Sequence, residues 1–221
     1  MEIQIRRKQG GFTLVEIAIV LVIIGLLLGG VLKGQEMIDN AKIKNAINDL
    51  NGVSTAYNSY LDRFKRMPGD DNLLPARGGP WTGLPAGGLN GILTNASAAT
   101  FTGAGEGAGF WQHLKAAGFI TGNPADGGIA ALPRNAFGGL VGVSAGAAGT
   151  LGGLGGILVC MSEVPGKAAR AIDTQVDDGL AGTGTLRATL GAAGANTPPG
   201  AVPAAGASYD DTSVYTICRS V

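Results

Sequence analysis

Charge, histidine, cysteine and aromatic side chains are all scarce in this chain. Sixteen Lys and Arg balance sixteen Asp and Glu, so the formal net charge is zero. Beyond the first few residues no long basic run occurs, so the clustered cations that a tight electrostatic grip on nucleic acid needs are missing. Arg63, Lys65 and Arg66 form the densest basic group after the N-terminus, a placement that complements the dipole at a helix C-terminus. A single histidine, His113, and two cysteines, Cys160 and Cys218, are too few ligands for a structural zinc site. No serine or aspartate is spaced to join His113 in a nucleophilic triad, and it reads as a structural or surface residue. Glycine, in contrast, is abundant at 39 residues. The glycine runs at 103–109 and 138–156 lack the Gly-Lys-Ser/Thr ending of a phosphate loop. They read as loops, as does the Ala/Gly/Pro-rich stretch 191–206.

The N-terminal third carries the strongest pattern. Residues 1–11 hold Arg6, Arg7 and Lys8 against one acid, Glu2. Residues 12–32 then hold a single charge, Glu16. At about 1.5 Å per residue a helix of that length spans the ~30 Å core of a bilayer. A secretory signal peptide would have a shorter apolar run, of about 7–15 residues, and a small-x-small cleavage site after it. Here Lys33-Gly34-Gln35-Glu36-Met37 follows instead. A plain membrane anchor passes the length test but leaves Glu16 without a reason. A carboxylate in a membrane helix costs about 2.5–3.5 kcal/mol on insertion scales and is usually functional.

Gly11-Phe12-Thr13-Leu14-Val15-Glu16 resembles the processing site of type IV pilins and of the pseudopilins of type II secretion. The resemblance covers the leader and the first helix. It implies that a membrane peptidase cuts after Gly11 and methylates the new N-terminal residue, Phe12. It also implies that Glu16 is the acid needed for methylation and assembly. The fold it implies is α+β: a long N-terminal helix, membrane-spanning in its first half, packed on a small C-terminal antiparallel sheet with Gly/Ala-rich loops. The expected partners are the prepilin peptidase/methyltransferase, other pilin or pseudopilin subunits, the inner-membrane assembly platform and membrane lipid. Strong nucleic-acid binding is not expected. After cleavage the Phe12 amine and the Glu16 carboxylate attract in a low-dielectric medium, each offsetting the other's desolvation. Within one helix they stand four residues apart; between subunits the same pairing would set axial register.

Basic residues flanking a membrane helix stay cytoplasmic. Arg6, Arg7 and Lys8 therefore place the N-terminus inside, and the chain after Leu32 outside, in the bacterial periplasm. Lys33 on the far side is outnumbered. An exported compartment is oxidising, so Cys160 and Cys218 are expected either to bridge or to remain two buried thiols. A bridge would close a loop of about 58 residues and contribute ~4 kcal/mol in the chain-entropy model.

The helix is expected to continue past the membrane. Ile43, Ile47, Leu50, Tyr57, Leu61 and Phe64 recur at helical spacing, with Asp39, Lys42, Lys44, Asp49, Asp62 and Lys65 off that stripe. No proline interrupts residues 12–67, and Met67-Pro68-Gly69 supplies the stop. One helix of about 55 residues, roughly 80 Å long, follows. Gly25, Gly29 and Gly30 give small surfaces for close helix approach or local melting. The expected segments are a cleaved leader at 1–11, a membrane half at 12–33, an amphipathic half at 34–67 and an exported head at 68–221.

The head is long enough for one modest domain. Residues 109–118 read as a short helix stopped by Gly118, with Phe110, Trp111 and Leu114 inward. Residues 157–161 read as a buried strand, 164–176 as a helix with Pro165 in its first turn, and 185–188 and 213–218 as strands. The apolar stretch 140–161 is too glycine-rich for a second membrane span and reads as a hairpin or a strand beside a loose loop. Asp70-Asp71-Asn72, Asp173 with Asp177 and Asp178, and Asp210-Asp211 are oxygen-rich turns of the kind calcium uses. Some pseudopilins bind calcium in such loops, which makes Asp173, Asp177 and Asp178 weak candidates. None has the spacing of a dedicated calcium loop, and capping and solvated turns are the expected account of these acids.

The expectation is a structural subunit, minor by its length and loop content, of a type IV pilus or a type II secretion pseudopilus. The residues do not choose between these machines. The competing reading is a membrane-anchored exported binding protein or enzyme that is not assembled into a filament.

Overall fold

The computed structural model describes residues 11–146, 150–204 and 206–221. Residues 1–10 of the expected leader 1–11, with Arg6, Arg7 and Lys8, lie outside the described residues; so do parts of the loops at 138–156 and 191–206. The chain divides into two compact units, Met1–Ala41 and Lys42–Val221.

A long helix, α1 (Leu14–Phe64), contributes to both units. In the first unit its side chains from Leu14 to Leu32 stand exposed all round. Among the described residues it is the one helix long and apolar enough to cross a membrane, and none of that apolar window is buried by the chain itself. The helix starts two residues after Phe12, because Thr13 caps it.

Within the second unit α1 behaves differently. Ile43, Leu50 and Tyr57 are buried, and Ile47, Leu61 and Phe64 pack against the core. Ala46, Val53, Ala56 and Tyr60 are buried as well, so the inward stripe is wider than the sequence pattern shows. The helix stops at Phe64, short of the expected Met67. Pro68 disfavours helical backbone at the residue before it, and Lys65 turns left-handed at φ 54°. In the last turn of α1 the Phe64 ring lies 4.6 Å from Tyr60, its i−4 neighbour, and 5.3 Å from Trp81.

Helix α2 (Gly105–Ala116) begins four residues earlier than the sequence pattern places it. The glycines at 105–109 are therefore mostly helical rather than loop. Its end follows expectation: Gly118 takes φ 76°, its N–H donates to Lys115 O, and Phe119 N–H donates to Leu114 O. That reciprocal pair satisfies the last carbonyls and favours glycine at the left-handed position. Phe110, Trp111 and Leu114 are fully buried, each worth about 1.5–3 kcal/mol of transfer free energy.

Strands β1 (Val141–Ala145), β2 (Ile157–Pro165), β3 (Leu186–Leu190) and β4 (Val214–Ser220) form an antiparallel sheet of order β1-β2-β4-β3. The hairpin expected in 140–161 is β1–β2, and Val141, Val143, Leu158 and Met161 are the buried residues that hold it in a glycine-rich context. Pro165 ends β2 instead of entering a helix, and α3 (Gly166–Val176) starts immediately after it. Asp177 is its C-cap, as the pattern predicts. A long apolar N-terminal helix followed by a small antiparallel sheet is the α+β, pilin-like layout expected.

Candidate functional site

The helix start is built from four residues. Gly11, Phe12 and Thr13 are non-helical and exposed, and Phe12 is 84% accessible. Thr13 N–H donates to Glu16 Oε2 at 2.8 Å, and the Thr13 hydroxyl donates to the same oxygen at 2.8 Å. In return Glu16 N–H donates to Thr13 Oγ1 at 3.2 Å. This reciprocal arrangement is a capping box, which satisfies two of the backbone donors a helix leaves unpaired at its N-terminus. Sequence reasoning singled out Gly11, Phe12 and Glu16 but missed Thr13. The signal was present: Thr, two residues, then Glu ahead of an apolar run is a helix-start signature.

The acidic turns of the head are satisfied from within. The candidate ligand atoms of Asp173, Asp177 and Asp178 lie within 4.8 Å of one another. Yet the Tyr209 hydroxyl donates to Asp173 Oδ2 at 2.6 Å and Gly179 N–H to Oδ1 at 3.2 Å. Thr185 and Leu186 N–H both donate to Asp177 Oδ2. Leu180 N–H and the Thr183 hydroxyl donate to Asp178. These carboxylates order the α3–β3 turn. Asp173 is fully buried, and burial foremost pushes its carboxyl up to about 6, with the charges of Asp178 and Asp177 adding to the effect. The Tyr209 hydroxyl is pushed up by burial and by the carboxylate it donates to.

Asp70 and Asp71 are likewise buried. Asp70 accepts from Asn90 and Gly91 N–H. Asp71 accepts from the Tyr60 hydroxyl at 2.8 Å and Leu73 N–H at 3.0 Å, and pairs with Arg77 at 2.7 Å. Burial works to raise the Asp71 carboxyl, but those donors and the Arg77 charge outweigh it and hold it low. Asp210 accepts from Thr212 and Ser213, and Asp211 pairs with Arg170 at 2.6 Å.

His113 is fully buried. Its Nδ1 accepts from Gly69 N–H at 2.9 Å, and Nε2 lies 3.0 Å from Pro85 O. These partners select the neutral tautomer with the proton on Nε2. Both nitrogens are committed to backbone, so neither serves as a base. Gly69 has φ 91°, and a Cβ there would meet Glu106 O at 2.6 Å, so the approach to His113 requires glycine. Of the basic group, Lys65 pairs with Asp62 at 2.8 Å and Arg63 lies over the Phe64 ring.

Cys160 and Cys218 are direct cross-strand partners on β2 and β4 and form a disulfide. The structure thus decides between the bridge and the two buried thiols in favour of the bridge.

The family model described as the prokaryotic N-terminal methylation motif matches residues 6–32. That motif marks type IV pilin-like and pseudopilin proteins, and in this chain it runs into the apolar first part of α1. The same features are consistent with membrane anchoring. A search of curated proteins finds no match to the chain.

Proposed function

We propose that the chain is a structural subunit, of the minor kind, in a type IV pilus or a type II secretion pseudopilus. It inserts in the inner membrane with residues 1–11 as a cytoplasmic leader, 12–33 as the membrane half of the helix, 34–67 as its amphipathic half and 68–221 as a periplasmic head. Prepilin peptidase cuts between Gly11 and Phe12, and the new N-terminus is methylated. The mature chain joins other subunits through the exposed apolar half of α1. The observation that carries this reading is the motif match at residues 6–32, in which Glu16 is the lone charge of the apolar run 12–32. An anchor without an assembly role has no use for a carboxylate at that depth.

The decisive measurement is the mature N-terminus, by peptide mass spectrometry of protein from membranes containing the peptidase. A chain beginning at methylated Phe12 supports the reading; an intact Met1 or a cut beyond Leu32 sinks it. Glu16→Leu and Glu16→Ala should insert normally but enter filaments poorly. Normal incorporation of either would remove Glu16 from assembly. We read Asp173, Asp177 and Asp178 as turn-ordering groups rather than a calcium site, because both oxygens of Asp173 and Asp178 and Oδ2 of Asp177 already accept hydrogen bonds from the turn. A calcium-dependent rise in the melting temperature of the full chain, lost in Asp178→Ala, would reverse that assignment.

A further inference from the structure

Glu16 is held by its own helix start, and only by half. Oε2 takes both Thr13 donors at 2.8 Å, whereas Oε1 takes no hydrogen bond among the described residues. The Thr13 hydroxyl does two jobs: it donates to Oε2 and accepts from Glu16 N–H. A glutamate on an exposed helix face otherwise samples many rotamers, and fixing one oxygen removes most of that freedom. The pinned N–H belongs to the peptide that joins Phe12 to Thr13, so the carboxylate is tethered one residue from the Phe12 nitrogen.

We propose that Thr13 is the positioning residue for Glu16 in N-methylation, holding Oε2 so that Oε1 is left to receive the Phe12 nitrogen. The proposal rests on the processing reading above. Hydrolysis of the Gly11–Phe12 bond leaves Phe12 as an ammonium. One proton passes from it to solvent, and the freed lone pair attacks the methyl carbon of a sulfonium donor held by the methyltransferase. The carbon–sulfur bond breaks with its electron pair on sulfur, giving a neutral thioether, and the methylated nitrogen keeps the positive charge. Oε1 accepts a hydrogen bond from that nitrogen before and after transfer, so its placement matters to the methyl step and not to the cut.

The test uses the full chain, co-expressed with the peptidase/methyltransferase, and follows cleavage and methylation separately by mass spectrometry of the N-terminal peptide. Thr13→Val keeps the shape and the backbone N–H but loses the hydroxyl. It should be cut at the wild-type rate and methylated about tenfold more slowly, the scale of a lost helix cap. Thr13→Ser, which restores the hydroxyl, should recover wild-type methylation. Glu16→Gln, which preserves a capping box without the charge, should be cut and left unmethylated. Methylation of Thr13→Val at the wild-type rate overturns the proposal. So does failure of Thr13→Ser to recover, and so does an uncut Thr13→Val, since the residue would then act on peptide-bond presentation. A wild-type chain left uncut at Gly11 instead removes the processing reading itself.

Discussion

The two halves of α1 share one secondary structure and follow opposite packing rules. From Leu14 to Leu32 the helix is apolar all round apart from Glu16, and the chain buries none of it. From Ile43 to Phe64 it is apolar along one stripe, and the chain buries that stripe. An all-round apolar surface left bare in water would aggregate, so the first half is consistent with membrane anchoring. The second half has its partners already: α2, the sheet and the aromatic ring cluster around Tyr60. Stability of the head should therefore depend on one half and be indifferent to the other.

The sharpest break in that comparison is a matched pair of truncations. Trp111→Ala empties a fully buried site beside α1, and should cost about 3–5 kcal/mol in urea unfolding of the detergent-solubilised chain. Leu26→Ala removes a side chain that is 74% accessible and should leave head unfolding unchanged while weakening subunit association. Trp111 Nε1 finds no acceptor among the described residues, so Trp111→Phe should cost much less than Trp111→Ala. A large loss in Leu26→Ala would show that the halves are energetically coupled.

Next in size is the disulfide, which ties the two central strands of the sheet and encloses α3 and β3 between its ends. Replacing Cys160 and Cys218 by Ser should destabilise the head by about 2–4 kcal/mol. Cleavage and methylation at the N-terminus should not change. A head that unfolds at the same urea concentration with and without the bridge would show that the reduced, unfolded chain was already constrained there.

What the sequence made legible follows the same division. Apolar periodicity identified α1, its inward stripe and the buried strand Ile157–Met161, because hydrophobic burial dominates those elements. It missed Tyr60, a fully buried residue whose hydroxyl donates to Asp71, because the chosen stripe stepped from Tyr57 to Leu61 and Phe64. It read residues 103–109 as a loop, although 105–109 lie in α2, because glycine content outweighed position in the reading. The acids at 173–178 were visible as a cluster. Their partner Tyr209, which lies 36 residues away, was not, because a hydrogen bond across the fold leaves no local signal. Thr13 was legible and overlooked, since the reading followed apolar residues and charges rather than caps.

The smallest effect concerns pH, and it belongs wholly to the second unit. Asp173 titrates near 6 in the folded state because it is buried, against about 3.9 in an unfolded chain. Between those values the folded state holds a proton that the unfolded state has lost, so the Asp173 contribution to stability is fully present below about pH 4 and is lost as pH rises through 6, by at most about 3 kcal/mol. His113 works in the opposite direction. Burial lowers its pKa, so below about pH 6.5 the unfolded chain takes the proton first and stability falls as the solution acidifies. The two slopes partly cancel in the wild type, and single variants are needed to expose them. Asp173→Asn should flatten the loss between pH 4 and 6 and leave the acid-side loss in place. His113→Gln should do the reverse, after a fixed penalty for displacing Gly69 N–H. Urea midpoints measured across pH 4–8 separate the cases. If Asp173→Asn kept the wild-type slope, the carboxylate would be better solvated than its burial implies, and the turn that it shares with Tyr209 would have to open in the native state.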